Sequence, residues 1–166
     1  METVGIFYGS TSGSTRKAAE KIKELLGDKA ELHNIKEATT EMIAGFNNLI
    51  FGTSAWGIGG MQDDWEDFID SLADIDFSGK KIALFGLGDQ ADYPESFVDG
   101  LGTLYCRLPD KSVVVGYWPT KGYDYYFSLA ERNDQFVGLA LDDHHQKDMT
   151  DDRVKKWVAQ LKKEFI

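Results

Sequence analysis

The sequence predicts an α/β fold: a doubly wound, five-stranded parallel sheet in the order 2-1-3-4-5, helices on both faces, and a fifth strand split by an insertion. Three observations predict it. Apolar runs without polar interruption alternate with amphipathic stretches, as strands covered on both faces require. The first run, Ile6-Phe7-Tyr8, enters a loop of Gly, Ser and Thr that opens directly into a helix, the arrangement of a βα unit with a ligand end. An aromatic-rich stretch at about 117–138 then interrupts the rhythm just before the last strand resumes. The 166 residues suit one domain, 1–166, with a single core.

Thr3 to Tyr8 reads as the first buried strand, and residues 14–27 as a helix with Ala18, Ala19, Ile22, Leu25 and Leu26 on one face. Gly27-Asp28 ends it. Ala30 to Ile35 is a short strand with Leu32 and Ile35 inward, and Thr39 begins a helical turn carrying Met42 and Ile43. Asn48 to Ser54 is the third strand. Asp63 to Ala73 is an amphipathic helix, with Trp65, Phe68, Ile69 and Leu72 inward and Asp63, Asp64, Asp67, Asp70 and Asp74 outward. Lys80 to Gly86 is the fourth strand. Pro94 suits the first turn of the helix that follows, whose core face is Phe97, Leu101, Leu104 and Tyr105. Ser112 to Gly116 begins the fifth strand and Phe136 to Leu141 resumes it. Between them Tyr117, Trp118, Tyr123, Tyr125, Tyr126 and Phe127 are too aromatic for a free linker, so a folded excursion is expected. Thr150 is expected to cap the last helix, with Met149 and Val154 as its hydrophobic staple.

Composition narrows the function. A net charge of −10 opposes non-specific nucleic-acid binding, which needs clustered Lys and Arg. It would steer a basic partner protein favourably. No apolar run is long enough to span a membrane, and the first residues lack a signal-peptide pattern. The single cysteine, Cys106, forms no internal disulfide, so a cytoplasmic protein is expected. No metal site is expected either, because His144-His145 stands in a polar loop where adjacent histidines are usually solvated.

Three strand ends carry unusual loops. Ser10-Thr11-Ser12-Gly13-Ser14-Thr15 offers small hydroxyls and open backbone N–H groups at the positive end of a helix, a receptor for one phosphate without a cationic clamp. Trp56 sits among small residues after the third strand. Asp89 and Tyr93 sit on a Gly-rich loop after the fourth. An aromatic from each flanking loop could sandwich a flat ring held by the phosphate loop. Competing motifs fail on particular residues. The first loop lacks the lysine of a nucleoside-triphosphate loop. Gly86-Leu87-Gly88-Asp89-Gln90-Ala91 mimics a dinucleotide fingerprint but follows the wrong strand. A receiver domain would need acids where Ser10 and Thr11 stand, and a cysteine phosphatase would need arginine where Ser112 stands. No nucleophile, base and acid can be grouped by spacing, so no catalytic residue is assigned.

On these residues the chain resembles the flavodoxins over its whole length. Ile6, Phe7, Tyr8, Ser10, Gly13 and Thr15 fit the family's signature; Trp56-Gly57-Ile58-Gly59 and Gly88-Asp89-Gln90 with Tyr93 look like its two flavin-flanking loops. The excursion looks like the insertion of the long-chain type. The resemblance implies FMN, non-covalently bound, in a protein that is an electron carrier and not an enzyme, shuttling between semiquinone and hydroquinone states at low potential. Its phosphate would lie on Ser10 to Thr15. Its ring would lie between Trp56 and Tyr93, with Ser54 and Ala55 beside it and the backbone of Gly57, Ile58, Gly59, Leu87, Gly88 and Asp89 at its edge. Gly57 would turn its carbonyl to the flavin N5–H, and glycine reaches the required positive φ freely. Where some long-chain relatives place a ribityl-contacting acid, this chain has His144. The nearby acids Asp63, Asp64, Asp67, Asp89 and Asp92 would repel the negative charge that the ring carries at N1 as the hydroquinone. Implied partners are basic redox proteins: an NADP⁺ reductase, photosystem I, nitrogenase or a pyruvate oxidoreductase, met by a monomer. The alternative is an FMN-dependent NAD(P)H:quinone oxidoreductase, against which no second nucleotide pocket is legible.

Overall fold

Strands buried on both faces can be joined in parallel only by crossovers, and this chain supplies a helix at most of them. The computed structural model describes residues 1–56 and 58–166. In chain order its elements are β1 (Val4–Tyr8), α1 (Ser14–Leu26), β2 (Ala30–Asn34), α2 (Thr40–Ala44), β3 (Asn48–Trp56), β4 (Gly60–Met61), α3 (Asp63–Phe68) and β5 (Lys81–Leu87). Then come α4 (Asp99–Arg107), β6 (Val114–Val115), β7 (Trp118–Pro119), β8 (Glu131–Arg132), β9 (Gln135–Phe136), β10 (Leu139–Leu141) and α5 (Lys147–Glu164).

The main sheet runs β10-β5-β3-β1-β2, all parallel along that path. This is the predicted 2-1-3-4-5 order. The fifth strand is split: β6 pairs with Ile82 and Ala83 of β5, and β10 pairs with Phe85 to Leu87 farther along the same edge. The resumed half begins at Leu139, however, because Phe136 pairs with Trp118 and Glu131 in the excursion's own sheet. Alternation of side chains divides the interior between two faces. Ile6, Ile50 and Phe85 meet Ile22 of α1 and Trp157 of α5, while Phe7, Phe51 and Leu84 meet Trp65, Phe97 and Leu101. Each such side chain contributes about 1.5–3 kcal/mol by leaving water. Both buried tryptophans also find acceptors: Trp65 Nε1 donates to the Gly52 carbonyl at 2.7 Å and Trp157 Nε1 to that of Gly116 at 2.8 Å.

The excursion folds as expected. β7, β9 and β8 form a small antiparallel sheet. Its Tyr123, Tyr125 and Phe136 pack on Phe97, with ring centroids 5.4 to 5.8 Å from that residue. The Arg153 guanidinium covers Tyr123 at 4.0 Å.

Three helix boundaries differ from expectation. Pro94 does not open α4, which starts at Asp99 after Val98 adopts φ 49°. The Pro94 carbonyl is taken by the N–H groups of Tyr126 and Phe127, so the excursion holds this segment out of helix. Thr150 lies inside α5, which begins three residues earlier; its hydroxyl donates to Asp143 at 2.6 Å, and Met149 is exposed rather than stapled. The acidic helix is α3 only as far as Phe68, and residues 69–74 tighten into a 3₁₀ turn. Ile35 likewise belongs to a 3₁₀ turn, although it is buried as predicted.

Candidate functional site

The sheet order sets β1, β3 and β5 side by side, so the loops leaving their carboxyl ends share one rim. This is the crevice where open α/β sheets take ligands. Residues of all three loops were singled out in the sequence.

The first loop is pinned at both ends. Gly9 donates to the Gly52 carbonyl at 3.0 Å, and Ser10 Oγ accepts from Gly13 N–H at 3.1 Å and, at 3.4 Å, from Arg16 N–H. Gly13 sits at φ 95°, a conformation that costs glycine nothing and most other residues about 1 kcal/mol or more. α1 then begins at Ser14 with no side-chain cap and no acid in its first turn. The first N–H groups of a helix have no partner within it, and here nothing negative competes for them. Thr11 and Ser12 are exposed, Ser14 is partly so, and Thr15 is buried in the first turn. The donor set is neutral hydroxyls and N–H groups at a helix start, a fit for a phosphate. Arg16 is engaged elsewhere, in an ion pair with Glu20 at 2.9 Å.

The second loop is the tip of a hairpin, β3 pairing antiparallel with β4 through Ala55–Met61 and Trp56–Gly60. Trp56 is 50% exposed and its Nε1 donates to Ser54 Oγ at 2.8 Å. Ile58 projects outward, and Gly59 turns at φ 75°. Gly57, expected to turn its carbonyl toward the flavin, lies outside the described residues. The third loop holds Gly88, tied to the Leu141 carbonyl at 2.9 Å, then Asp89 and Tyr93. Leu87 is buried at the end of β5, whereas Tyr93 is 60% exposed. Two large aromatics are thus left open on the two flanking loops of a molecule that buries two of its other tryptophans completely.

Sequence reasoning missed the residues that hold these loops, because each works through a partner far along the chain. Gln62, almost fully buried, caps α3 through Oε1 to Asp64 N–H at 3.0 Å and donates from Nε2 to Thr11 Oγ1 at 3.2 Å, joining the first loop to the second. Asp99 is fully buried and accepts from Gly59 N–H at 3.1 Å and from Leu129 N–H at 2.9 Å. Burial pushes its carboxyl up, against the pull of those two donors. Asp142, also fully buried, accepts from Gln90 N–H and Nε2 through one oxygen and from His144 and His145 N–H through the other. The Gln90 side-chain Oε1 accepts from Asp124 N–H at 2.7 Å, so the excursion braces the third loop. Asp89 Oδ1 accepts from Asp92 N–H at 2.8 Å and meets His145 Nε2 at 2.7 Å. Burial raises the Asp89 carboxyl, but those partners outweigh it and hold it below the usual range. His144, aligned with the ribityl-contacting acid, has an exposed side chain; its neighbour is the one that reaches Asp89.

The rim offers an anion neutral donors at one end and leaves two aromatics open on the loops beside it. The model of the flavodoxin family matches residues 6–157. A flavodoxin of Trichodesmium erythraeum (strain IMS101) is 46% identical over 169 residues, covering 99% of each chain. Flavodoxin 1 of Azotobacter vinelandii is 44% identical over 100% of this chain and 99% of its own. Among solved structures, Fusobacterium nucleatum flavodoxin bound to flavin mononucleotide superposes with a TM-score of 0.94 at 36% identity, over 100% of both chains.

Proposed function

We infer how this protein works from one premise: the chain belongs to the flavodoxin family. It is an electron-transfer protein, not an enzyme, and its cofactor is FMN. FMN, when bound, supplies an isoalloxazine ring that takes and gives electrons one at a time.

The residues are assigned as follows. Ser10, Thr11, Ser12, Gly13, Ser14 and Thr15 hold the phosphate with hydroxyls and the open N–H groups of α1. Trp56 and Tyr93 wall the ring, Ser54 and Ala55 line its side, and the backbone of residues 57–59 and 87–89 meets its polar edge. The observation that carries this assignment is the exposure of Trp56 and Tyr93 on the loops beside a helix start whose N-cap, Gly13, supplies no side-chain acceptor. Aromatic walls displace water from a ring that gains charge on reduction, and Asp63, Asp64, Asp67, Asp89 and Asp92 repel that charge. Both effects make the second electron hard to add and easy to give away, so the carrier works at low potential.

Redox proteins are the partners of this family, and a net charge of −10 favours those with a basic docking face. We assign a monomer of one domain, residues 1–166, working in the cytoplasm. No helix among the described residues is long and apolar enough to cross a membrane.

The purified protein should be yellow, and a stepwise reductive titration should resolve two one-electron potentials, the second much the lower. A colourless protein that takes up no FMN would overturn the reading. Rapid flavin bleaching by NADPH in the presence of a quinone, with no reductase added, would replace the carrier with a quinone oxidoreductase.

A further inference from the structure

Beside the third loop the fold assembles a set of side chains that no sequence spacing links. His145 Nε2 lies 2.7 Å from Asp89 Oδ1, and one ligand atom from each of Asp89, Asp92 and His145 falls within 4.8 Å of the other two. We propose that His145, Asp89 and Asp92 form a binding site for one first-row divalent transition-metal ion, of which Zn²⁺ is the natural probe.

The geometry is close to what ligation needs. Ligands at about 2.0–2.2 Å from a tetrahedral centre stand roughly 3.3–3.6 Å from one another, so rotation of side chains is enough to close the set. Backbone movement is not required, because the two loops that bring the ligands are already clasped. Buried Asp142 accepts from Gln90 on one loop and from His144 and His145 on the other, at 2.8 to 3.1 Å. Asp89 Oδ1 also receives Asp92 N–H at 2.8 Å, which fixes the spacing of the two acids.

Charge and ligand type set the class of ion. Two carboxylates face one imidazole, and among the described residues neither Asp89 nor Asp92 has a lysine or arginine within ion-pair distance. A dication would relieve their repulsion in a protein whose net charge is −10. An imidazole nitrogen with two carboxylate oxygens suits Zn²⁺, Ni²⁺ or Cu²⁺, whereas Mg²⁺ and Ca²⁺ prefer oxygen alone. Access is open: His145 and Asp92 are exposed, and a hollow of about 310 Å³ lined by Gln90, Pro94, Asp124, Tyr126 and His145 adjoins them. On binding, the Nε2 proton that His145 donates to Asp89 is lost to water, or moved to Nδ1 where the ring is neutral. The freed Nε2 lone pair ligates the ion in place of the His145–Asp89 hydrogen bond, while water completes its shell. Asp89 and Asp92 also belong to the proposed flavin rim, so the site is read by metal binding itself and not by electron transfer.

The test uses chelator-treated protein with its flavin in place, titrated calorimetrically with Zn²⁺ and followed by electron paramagnetic resonance with Cu²⁺. One Zn²⁺ per chain should bind, and His145→Asn and Asp92→Asn should each weaken it by about tenfold or more, as loss of one ligand in three does. His144→Asn should stay within about twofold of wild type, and millimolar Mg²⁺ should not compete. The Cu²⁺ spectrum should show nitrogen splitting that disappears in His145→Asn alone. The flavin absorbance of each variant reports that its rim is intact. Absence of saturable Zn²⁺ binding, retention of binding in His145→Asn, or equal loss in the His144 and His145 variants would each overturn the site.

Discussion

The carboxylate of Asp99 accepts the Gly59 N–H at 3.1 Å, across forty positions of sequence, while its other oxygen takes Leu129 N–H at 2.9 Å. One buried acid on α4 therefore sets the tip of the Trp56 hairpin and the excursion against each other. Thr103, one turn along, adds a hydrogen bond to the Gly59 carbonyl at 2.7 Å. Asp99→Ala should leave two buried donors unpaired and cost about 2–4 kcal/mol. Urea unfolding of the FMN-free protein measures that loss. FMN affinity of the folded variant should fall as well, because the hairpin tip is no longer held; unchanged affinity would mean that Asp99 serves stability alone.

The same residue gives stability a pH dependence whose sign follows from its environment. Burial holds the Asp99 carboxyl above its unfolded value of 3.8. The folded state therefore binds the proton more tightly than the unfolded state. The stability this contributes is complete below 3.8 and is lost as pH rises through the raised folded value. Asp99→Asn cannot titrate. The free-energy gap between wild type and Asp99→Asn, read by urea unfolding from about pH 3 to pH 7, should move against the wild type as pH rises. A gap that does not vary with pH would mean the carboxyl titrates alike in both states.

The first loop and the aromatic walls can be separated by comparing FMN with riboflavin, which lacks the phosphate. Ser10 Oγ accepts from Gly13 and Arg16 N–H and so shapes the turn into α1. Ser10→Ala should weaken FMN by about tenfold, the equivalent of one hydrogen bond of about 1.4 kcal/mol, and leave riboflavin nearly unaffected. Fluorescence titration with each ligand reads both numbers. Equal weakening of the two would show that Ser10 supports the ring rather than the phosphate.

Tyr93→Ala and Trp56→Ala should behave in the opposite way. On the proposed assignment each removes an aromatic wall worth about 1–3 kcal/mol, so both FMN and riboflavin should weaken by about 10- to 100-fold. Stability of the FMN-free protein should hardly change, since both side chains are half or more exposed. A large loss of stability in either variant would make it a packing residue instead.

The strands, the sheet order and the three loops at the carboxyl ends of β1, β3 and β5 were legible in the sequence because their signals are local. Ile6-Phe7-Tyr8 and Asn48-Leu49-Ile50-Phe51 are unbroken apolar runs, and a Ser/Thr/Gly loop before a helix needs no distant partner to be noticed. Pro94 misled because its fixed φ suits a first helical turn, but its carbonyl is claimed by Tyr126 and Phe127 from the excursion. Thr150 misled because a threonine before two aspartates looks like a cap, although its hydroxyl donates a hydrogen bond to Asp143. Gln62, Asp99 and Asp142 left no mark at all. A buried polar residue in sequence looks like any exposed one until the fold brings its donors, such as Gly59 at forty positions or Gln90 at fifty-two, into reach. The same holds for His145, which spacing alone could not join to Asp89.

Residues 63–74 carry Asp63, Asp64, Glu66, Asp67, Asp70 and Asp74 without one lysine or arginine. Asp70 is paired with Arg107 of α4, so its charge is partly spent within the fold. Asp63 and Glu66 are exposed in the first turn of α3 and Asp67 just beyond it, immediately after the Trp56 hairpin. Acids also suit that end of a helix, and removing them costs a few tenths of a kcal/mol of dipole stabilisation. A basic partner approaching the ring edge meets this field first. Asp63→Lys with Asp67→Lys changes net charge by four and should slow electron transfer to a basic acceptor such as horse-heart cytochrome c by about tenfold or more at low salt. The difference should shrink as ionic strength approaches about 0.5 M, where charges separated by more than roughly 5 Å are screened. Stopped-flow rates over a salt series give both quantities. A deficit that persists undiminished at high salt would point to a damaged contact surface, and equal rates at low salt would show that encounter is steered from another part of the molecule.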